Sequence, residues 1–316
     1  MSKKKTKIRG KNIYLSMTKD GFFALEVLLK NRKRIDEILT LPQKISSSIS
    51  DYVDFTPLAK KFDIPITFCK EINLLLPELQ KERPNLIIVN GWSQLLKKPL
   101  IDTAINCCVG THPSLLPKNR GRAPIAWHFI NEESYGGISL FYLEPNCDSG
   151  PIIDQIKFKI GNNDNASTYY EKITVLGAQL LLKHFDFITD GSAIEKAVPQ
   201  DSTKANYLLK RRPKDSRIDF SSKTAKEIHN SVRAVSDIYP LANFTYKNEA
   251  YLVLNSKLPR NHPQYSGVPG QIAKITNNYM WVLGENGLIE FDTVLNEDKG
   301  RILLREVFKI GDVLNE

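Results

Sequence analysis

Long apolar runs, paired cysteines and nucleotide-binding glycine signatures are missing from this 316-residue sequence. No apolar stretch approaches the ~18 residues that a membrane span needs. The four cysteines, Cys69, Cys107, Cys108 and Cys147, lack CxxC spacing, and no histidine has a ligand-like partner, so we expect no metal site. There is no GxGxxG loop and no P-loop lysine. These absences exclude a membrane-spanning protein, a disulfide scaffold and the common dinucleotide- and ATP-binding signatures.

The charge balance is moderately basic. Lysine and arginine number 44 against 35 aspartates and glutamates, which gives a formal charge of +9. This excess suits acidic small molecules, such as nucleotides and folates, as well as nucleic acid, and does not choose between them. The basic N-terminus leads into a short strand-like run rather than a signal-peptide core. Together with reduced thiols, this predicts a cytoplasmic protein.

The first two thirds of the chain alternate short apolar strands with helical patterns. Repeated strand–helix–strand units of this length predict an α/β fold with a Rossmann-like parallel sheet, whose ligands bind at the carboxyl ends of the strands. The predicted strands are Ile13–Ser16, Ile35–Leu41, Ile64–Phe68, Asn85–Val89 and Gly136–Leu143, and the longest predicted helix is Asn165–Thr189.

The pattern of predicted secondary structure changes after residue 204. A polar segment, KRRPKDSRIDF, precedes an amphipathic helix predicted at Thr224–Val235. Short strands then alternate with turn signals such as Lys247-Asn248 and Asn277-Asn278. This pattern predicts a small C-terminal β-barrel, so we expect domains at residues 1–204 and 205–316.

Two residues between positions 106 and 150 have acid–base potential. His112 directly follows an expected strand end, and Asp148 lies in a Pro- and Gly-bounded loop. A histidine and a carboxylate on neighbouring loops can form an acid–base pair, because the carboxylate stabilises the imidazolium. On spacing alone, a His before Pro and an Asp before Ser-Gly are more often turn residues.

Two segments, THPSLLPKNRGRAPIAW and NCDSGPII, resemble the folate-dependent N-formyltransferases. The later segments KRRPKDSRIDF, HNSVRAV and VPGQI resemble the joint and the OB-like C-terminal barrel of the longer members. The resemblance covers nearly the whole chain. It implies an enzyme that moves a formyl group from the cosubstrate 10-formyltetrahydrofolate to a primary amine.

The resemblance also implies roles for individual residues. His112 matches the catalytic histidine of the family, and Asp148 matches the aspartate that tunes it. The implied folate contacts come from the turn after the histidine, the RG motif, the expected wall of the pterin pocket and the loop before Asp148. They are Ser114, Leu115, Leu116, Pro117, Arg122, Trp92, Gln94, Glu144, Pro145, Asn146 and Cys147.

One position departs from the family pattern. The family usually has an asparagine two residues before the histidine, where its amide helps to hold the formyl oxygen, and this chain has Gly110. Loss of one such donor typically costs ~10²–10³ in rate. Thr111, Asn106, Gln94 or a backbone N–H are the alternatives that replace it. We expect an active enzyme, and the other interpretation is a folate- or sugar-binding relic that has lost the reaction.

The resemblance leaves two amine acceptors in competition. Initiator-tRNA formyltransferases usually carry a basic, glycine-rich loop where this chain has Leu41–Thr56, which holds one lysine and two aspartates. RGRAPIAW, RRPKDS and HNSVRAV resemble the sugar enzymes instead, notably those acting on UDP-4-amino-4-deoxy-arabinose. We therefore expect a nucleotide-linked amino sugar as the acceptor, with initiator methionyl-tRNA as the alternative. The sugar enzymes are often dimers, so the resemblance implies a homodimer.

Overall fold

A computed structural model describes residues 10–49, 51–236 and 238–315. The chain divides into two compact units. The first contains the chain up to Pro124, residues 135–159 and residues 170–209, and the second contains residues 125–134, residues 160–169 and the chain from Lys210 onward. The domain boundary after residue 204 stays a prediction.

The first unit is built on a seven-stranded sheet. Its strands are β1 Asn12–Leu15, β2 Glu37–Thr40, β3 Ile66–Phe68, β4 Leu86–Val89, β5 Cys107–His112, β7 Tyr135–Tyr142 and β8 Ile152–Lys159, and a separate pair is formed by β6 Arg120–Gly121 and β9 Tyr207–Leu208. The order in the large sheet is β3-β2-β1-β4-β5-β7-β8. The strands from β3 to β5 are parallel, which confirms the predicted Rossmann-like α/β arrangement.

The helices of the chain lie mainly between these strands. They are α1 Lys19–Lys30, α2 Thr56–Phe62, α3 Leu76–Glu82, α4 Lys98–Ile101, α5 Pro124–Ile130, α6 Ala166–Thr189, α7 Ala225–Arg233 and α8 Leu304–Val307. Short 3₁₀ turns occupy Gln43–Ser48, Ile72–Leu75, Ser192–Lys196, Ser202–Lys204 and Pro213–Ser216. Among the described residues, no helix is both long and apolar enough to cross a membrane.

The last two strands of the large sheet differ from the all-parallel prediction. β7 runs antiparallel to β5, and β8 runs antiparallel to β7. Only residues 143–151 join β7 to β8, which is too short for the crossover that a parallel pair needs. β8 had no apolar run to predict it, because most of its side chains are partly exposed at the sheet edge.

The core of the sheet explains the apolar runs of the central strands. β1 and β4 are buried along their whole length. Ile13 and Ile87 belong to one apolar cluster with Leu79 of α3 and Leu100 of α4. A strand covered on both faces needs such uninterrupted apolar sequence.

The second unit contains a five-stranded antiparallel sheet in the order β10-β11-β14-β13-β12. Its strands are β10 Ala242–Tyr246, β11 Glu249–Lys257, β12 Ile272–Ile275, β13 Met280–Leu283 and β14 Leu288–Leu295. Lys247 and Asn248 both have positive φ, as the predicted tight turn requires. This sheet confirms the predicted C-terminal β unit.

Gly121 is a point of close backbone approach beside the expected active site. Its φ is +103°, and a Cβ there would lie 2.5 Å from the carbonyl oxygen of Leu208 in β9. The paired strands β6 and β9 therefore require glycine at this position.

Gly121→Ala should lower the free energy of unfolding by more than ~2 kcal/mol, because left-handed strain and a backbone collision add together. Gly191→Ala is the matched control, since Gly191 also has positive φ, but a Cβ there makes only ordinary contact with Asn106. Urea unfolding should show a loss of about 1–2 kcal/mol for the control. Equal losses in the two variants would contradict the inferred collision.

Candidate active site

His112 lies at the carboxyl end of β5 and is 6% exposed. Its Nε2 is 2.7 Å from the backbone carbonyl oxygen of Asn119. A carbonyl oxygen only accepts hydrogen bonds, so Nε2 carries a proton. This contact fixes the ring and turns Nδ1 towards Asp148, 3.7 Å from Oδ2.

Asp148 occupies the loop between β7 and β8, in the left-handed region with φ +51°. Its Oδ2 accepts the backbone N–H of Gly121 at 2.8 Å and the thiol of Cys147 at 3.3 Å. The separation of 3.7 Å from the imidazole exceeds hydrogen-bond length. The two predicted catalytic groups therefore face each other across a short gap.

The thiol of Cys147 serves the carboxylate as a donor. Burial, followed by the negative charge of Asp148, raises the pKa of Cys147 to about 12. The thiol consequently stays protonated at neutral pH and is a poor nucleophile. Within the described ranges, no group of three His, Cys, Asp or Glu side chains is arranged to hold a metal ion.

The predicted turn at residues 114–117 follows His112 in the chain and is held by hydrogen bonds at both ends. Ser114 is fully buried, and its Oγ donates to the carbonyl of Lys118 at 2.8 Å. The backbone N–H of Leu116 donates to Ser139 Oγ at 3.1 Å. These bonds anchor both ends of the turn to the sheet and to the loop that follows it.

Arg122 joins the RG motif to the segment expected to wall the pterin pocket. Its Nη1 donates to the carbonyl of Ser93 at 2.6 Å. The neighbouring Trp92 packs on the apolar core, and its buried Nε1–H has no acceptor among the described residues. The amide of Gln94 bonds to backbone groups of residues 70–72, so it supports this wall.

The outer part of the Asp148 loop is closed by its own hydrogen bonds. Ser149 Oγ donates to the carboxylate of Glu144 at 3.3 Å and to the carbonyl of Asn146 at 3.1 Å. Glu144, Pro145 and Asn146 are exposed, whereas Cys147 and Asp148 are partly buried. Within this loop, the side chain of Asp148 is the one that faces His112 in the described contacts.

The space beside Gly110 is bounded by the backbone of Val89 and the side chain of Leu143. A Cβ at this position would lie 3.2 Å from the carbonyl oxygen of Val89 and 3.4 Å from Cδ1 of Leu143. The first separation is tighter than ordinary contact, so a side chain at this position requires the Val89 backbone to shift by a few tenths of an ångström. The second is ordinary van der Waals contact, so Leu143 packs beside this position.

The side chains considered as replacements for that amide have other partners. Thr111 Oγ1 donates to Asn90 Oδ1 at 2.9 Å. Asn106 precedes the opposite end of β5, and its amide donates to Asn85 Oδ1 at 2.8 Å and to the carbonyl of Thr189 at 2.6 Å. Gln94 is committed to the wall described above. A backbone N–H remains the alternative that these contacts do not use.

Sequence reasoning missed Arg120, two residues before the predicted Arg122. Arg120 is 1% exposed, and its guanidinium donates to Gln200 Oε1 and to the Tyr207 hydroxyl. Its partners come from a remote part of the chain, so no local pattern could reveal this burial.

An acidic cluster lies beyond the ends of β1 and β2. The hydroxyl of Tyr170 is 2.9 Å from Asp20 Oδ1 and 2.9 Å from Asp51 Oδ2. Burial, followed by the charge of Asp20, raises the pKa of Asp51. The backbone N–H of Lys19 also donates to the Asp51 carbonyl at 3.0 Å. These contacts hold the region around Asp51 against α1 and α6.

Two family descriptions match the chain. Residues 70–184 match the family described as formyl transferase, and residues 210–310 match its C-terminal domain. The chain is 26% identical over 312 residues to the methionyl-tRNA formyltransferase of Alkaliphilus oremlandii (strain OhILAs), covering 97% of this chain and 98% of the relative. It is 32% identical over 221 residues to that of Staphylococcus aureus (strain MW2), covering 69% of each.

Solved structures show the same fold at lower identity. WlaRD, described as a sugar 3N-formyl transferase, has a TM-score of 0.67 and 22% identity over 91% of this chain and 98% of its own. An N-formyltransferase from Helicobacter canadensis, in complex with folinic acid and dTDP-3-aminofucose, has a TM-score of 0.68 and 20% identity over 89% of this chain and 98% of its own.

Asp51→Asn should raise the melting temperature (Tm) relative to the wild type at pH 8, and the gain should shrink as the pH falls. A carboxyl whose folded pKa is raised stabilises the fold below its unfolded pKa, and this contribution is lost as the pH rises through the folded pKa. Asparagine removes the titrating charge and keeps polar atoms for Tyr170. Thermal melts from pH 4.5 to 8 test this expectation, and a difference independent of pH would contradict it.

Gly110→Asn should destabilise the protein by about 1–3 kcal/mol, because its Cβ would lie 3.2 Å from the backbone carbonyl oxygen of Val89, with Leu143 already in van der Waals contact. A double-mutant cycle with Leu143→Ala tests by urea unfolding whether Leu143 also obstructs the amide. If Leu143 is the obstacle, the double variant should be more stable than the two single losses predict, by about 0.5–3 kcal/mol. Additive losses would show that Leu143 does not exclude the amide.

Proposed function

The chain belongs to the formyltransferase family, and we propose that it formylates the amine of a nucleotide-linked amino sugar. Enzymes of this family use 10-formyltetrahydrofolate, which supplies the formyl group that the acceptor amine attacks. The observation that carries the proposal is the gap between His112 Nδ1 and Asp148 Oδ2 at the end of β5. The backbone carbonyl of Asn119 binds His112 Nε2, and the backbone N–H of Gly121 binds Asp148 Oδ2.

The pair supplies the two chemical needs of formyl transfer. The attacking amine loses a proton, and the leaving folate nitrogen gains one. Asp148 presents a carboxylate oxygen that can accept a proton, and His112 presents Nδ1, which in its protonated form donates a hydrogen bond to developing negative charge on oxygen. The Nε2 contact with Asn119 keeps the other nitrogen out of this role.

The surroundings of the pair fit a folate. The buried Nε1–H of Trp92 lacks an acceptor among the described residues, and a pterin ring offers carbonyl and ring-nitrogen acceptors. The turn at residues 114–117 and Arg122 would line the donor site together with Trp92. The backbone of Glu144–Cys147 would complete it, and Gln94 would support its wall.

The region that follows β2 favours a sugar acceptor over RNA. Leu41–Thr56 contains a single lysine, Lys44, and the acidic groups of Asp20 and Asp51 meet at Tyr170. Negative charge at this edge opposes an RNA backbone, whose binding depends on neutralised phosphates. The sugar formyltransferase WlaRD shares the fold, as does the Helicobacter canadensis N-formyltransferase that was solved in complex with dTDP-3-aminofucose.

Initiator methionyl-tRNA is the second candidate acceptor. The similarity to the A. oremlandii methionyl-tRNA formyltransferase runs over nearly the full length of both chains. The formal charge of +9 also suits RNA.

The test incubates the protein with 10-formyltetrahydrofolate and either a panel of UDP- and dTDP-linked amino sugars or charged initiator methionyl-tRNA. Mass spectrometry then detects one added formyl group. We expect formylated sugar and unmodified tRNA. Formylated tRNA alone would replace the sugar proposal with the second candidate. No product with either acceptor, despite folate binding, would indicate a relic that has lost the reaction with the family asparagine.

Replacement of the histidine tests its role. His112→Gln should lower kcat by about 10²–10⁴, because the positioned acid–base group is lost. His184→Gln is the matched control, since His184 Nε2 pairs with Asp154 Oδ2 at 2.7 Å between α6 and β8. The control should keep kcat within about threefold of the wild type. An equal loss in both variants would remove His112 from the reaction.

A further inference from the structure

Residues 198–208 form a strap that returns to the active-site edge after α6. Val198 exchanges two backbone hydrogen bonds with Ile152, next to the Asp148 loop. The N–H of Arg120 donates to the carbonyl of Asn206 at 3.0 Å, and β9 then pairs with β6. The strap therefore contacts the segment that follows His112 and the start of β8, which directly follows the Asp148 loop.

Asn206 forms two hydrogen bonds with Asn119, the residue whose carbonyl binds His112. Its Oδ1 accepts the backbone N–H of Asn119 at 2.8 Å, and its Nδ2 donates to Asn119 Oδ1 at 2.9 Å. Asn119 has a φ of +59°, and its carbonyl points to His112 Nε2. Two hydrogen bonds from one amide thus set the position of the carbonyl that fixes the imidazole.

Gln200 forms hydrogen bonds that position the loop that carries Asp148. Its Nε2 donates to the carbonyls of Asp148, at 2.9 Å, and of Gly150, at 2.7 Å. Its Oε1 accepts both Nε and Nη2 of the buried Arg120, at 3.1 and 2.7 Å. The amide of Gln200 therefore links the Asp148 loop to Arg120. The next residue, Gly121, donates its backbone N–H to Asp148 Oδ2.

We propose that Asn206 and Gln200 are positioning residues of formyl transfer: Asn206 holds the His112 ring in the Nε2–H form, and Gln200 keeps Asp148 opposite Nδ1. The inference rests on the proposed function of that pair. Neither amide touches His112 or the carboxylate of Asp148 in the described contacts. Each acts through the peptide groups that do, and a misplacement of about 1 Å in such a pair lowers rates by about a hundredfold.

The substitutions separate positioning from folding. Asn206→Ala removes both hydrogen bonds to Asn119. Asn206→Asp keeps an acceptor for the backbone N–H, and rotation of the Asn119 amide can restore the second bond. Gln200→Glu keeps the acceptor for Arg120 but sets a carboxylate oxygen against two carbonyls. Lys204→Ala is the control, because Lys204 lies in the strap and pairs with Asp201 on the surface.

The first readout does not depend on turnover. Nitrogen-15 NMR of the histidine rings, assigned with His112→Gln, should show His112 of the wild type with its proton on Nε2. In Asn206→Ala, the Nδ1–H form should appear beside it, whereas Asn206→Asp and Lys204→Ala should keep the wild-type signal. An unchanged His112 signal in Asn206→Ala would overturn the role of Asn206, whether or not the wild type formylates the sugar acceptor.

The second readout uses whichever acceptor the wild type formylates. Asn206→Ala and Gln200→Glu should lower kcat by about ten- to a hundredfold and shift the pH–rate profile. The KM for 10-formyltetrahydrofolate should stay within about twofold of the wild type. Asn206→Asp should recover most of the activity, and Lys204→Ala should behave as the wild type. Equal losses in all four variants, or a loss that follows Tm, would leave the strap with a structural role only. If Asn206→Ala does not fold, Gln200→Glu against Lys204→Ala decides the proposal.

Discussion

The carbonyl oxygen of Asn119 accepts a hydrogen bond from His112 Nε2, and this bond fixes the orientation of the imidazole on which the site depends. Such a bond adds only about 0.5–1.5 kcal/mol to net stability. Its importance is that it determines which of the two ring nitrogens carries the proton and which faces Asp148. With Nε2 engaged in a buried contact, Nδ1 is left facing Asp148. The N–H of Gly121 in the RG motif donates to the carboxylate of Asp148. Peptide groups only two residues apart in the chain therefore position both His112 and Asp148.

The sequence contained strong signals for everything that depends on local pattern. The buried runs of β1 and β4 predicted parallel central strands, and the turn after His112 together with the DSG loop predicted which side chains would meet. The direction and existence of β8 had no such signal, since an edge strand of mixed polarity resembles a loop. The burial of Arg120 could not be predicted either, because its partners lie some eighty residues further along the chain.

Gly110 shows how a departure from a family pattern becomes intelligible only in three dimensions. In the sequence it is a missing amide. In the structure its Cβ position lies 3.2 Å from the carbonyl oxygen of Val89 and 3.4 Å from Leu143, so this point of β5 has little room for a side chain. Leu143 follows β7 directly and leads into the loop that carries Asp148. The position of the missing donor is therefore packed against the residue that leads into the Asp148 loop.

The strap at residues 198–208 also orders events during synthesis of the protein. A ribosome releases the sheet strands, His112 and the Asp148 loop well before it releases Gln200 and Asn206. For that interval the nascent chain can form its parallel core, yet Asn119 and Arg120 still lack the amides that hold them. The geometry of the His112–Asp148 pair is therefore completed only when a segment synthesised after the sheet has joined it.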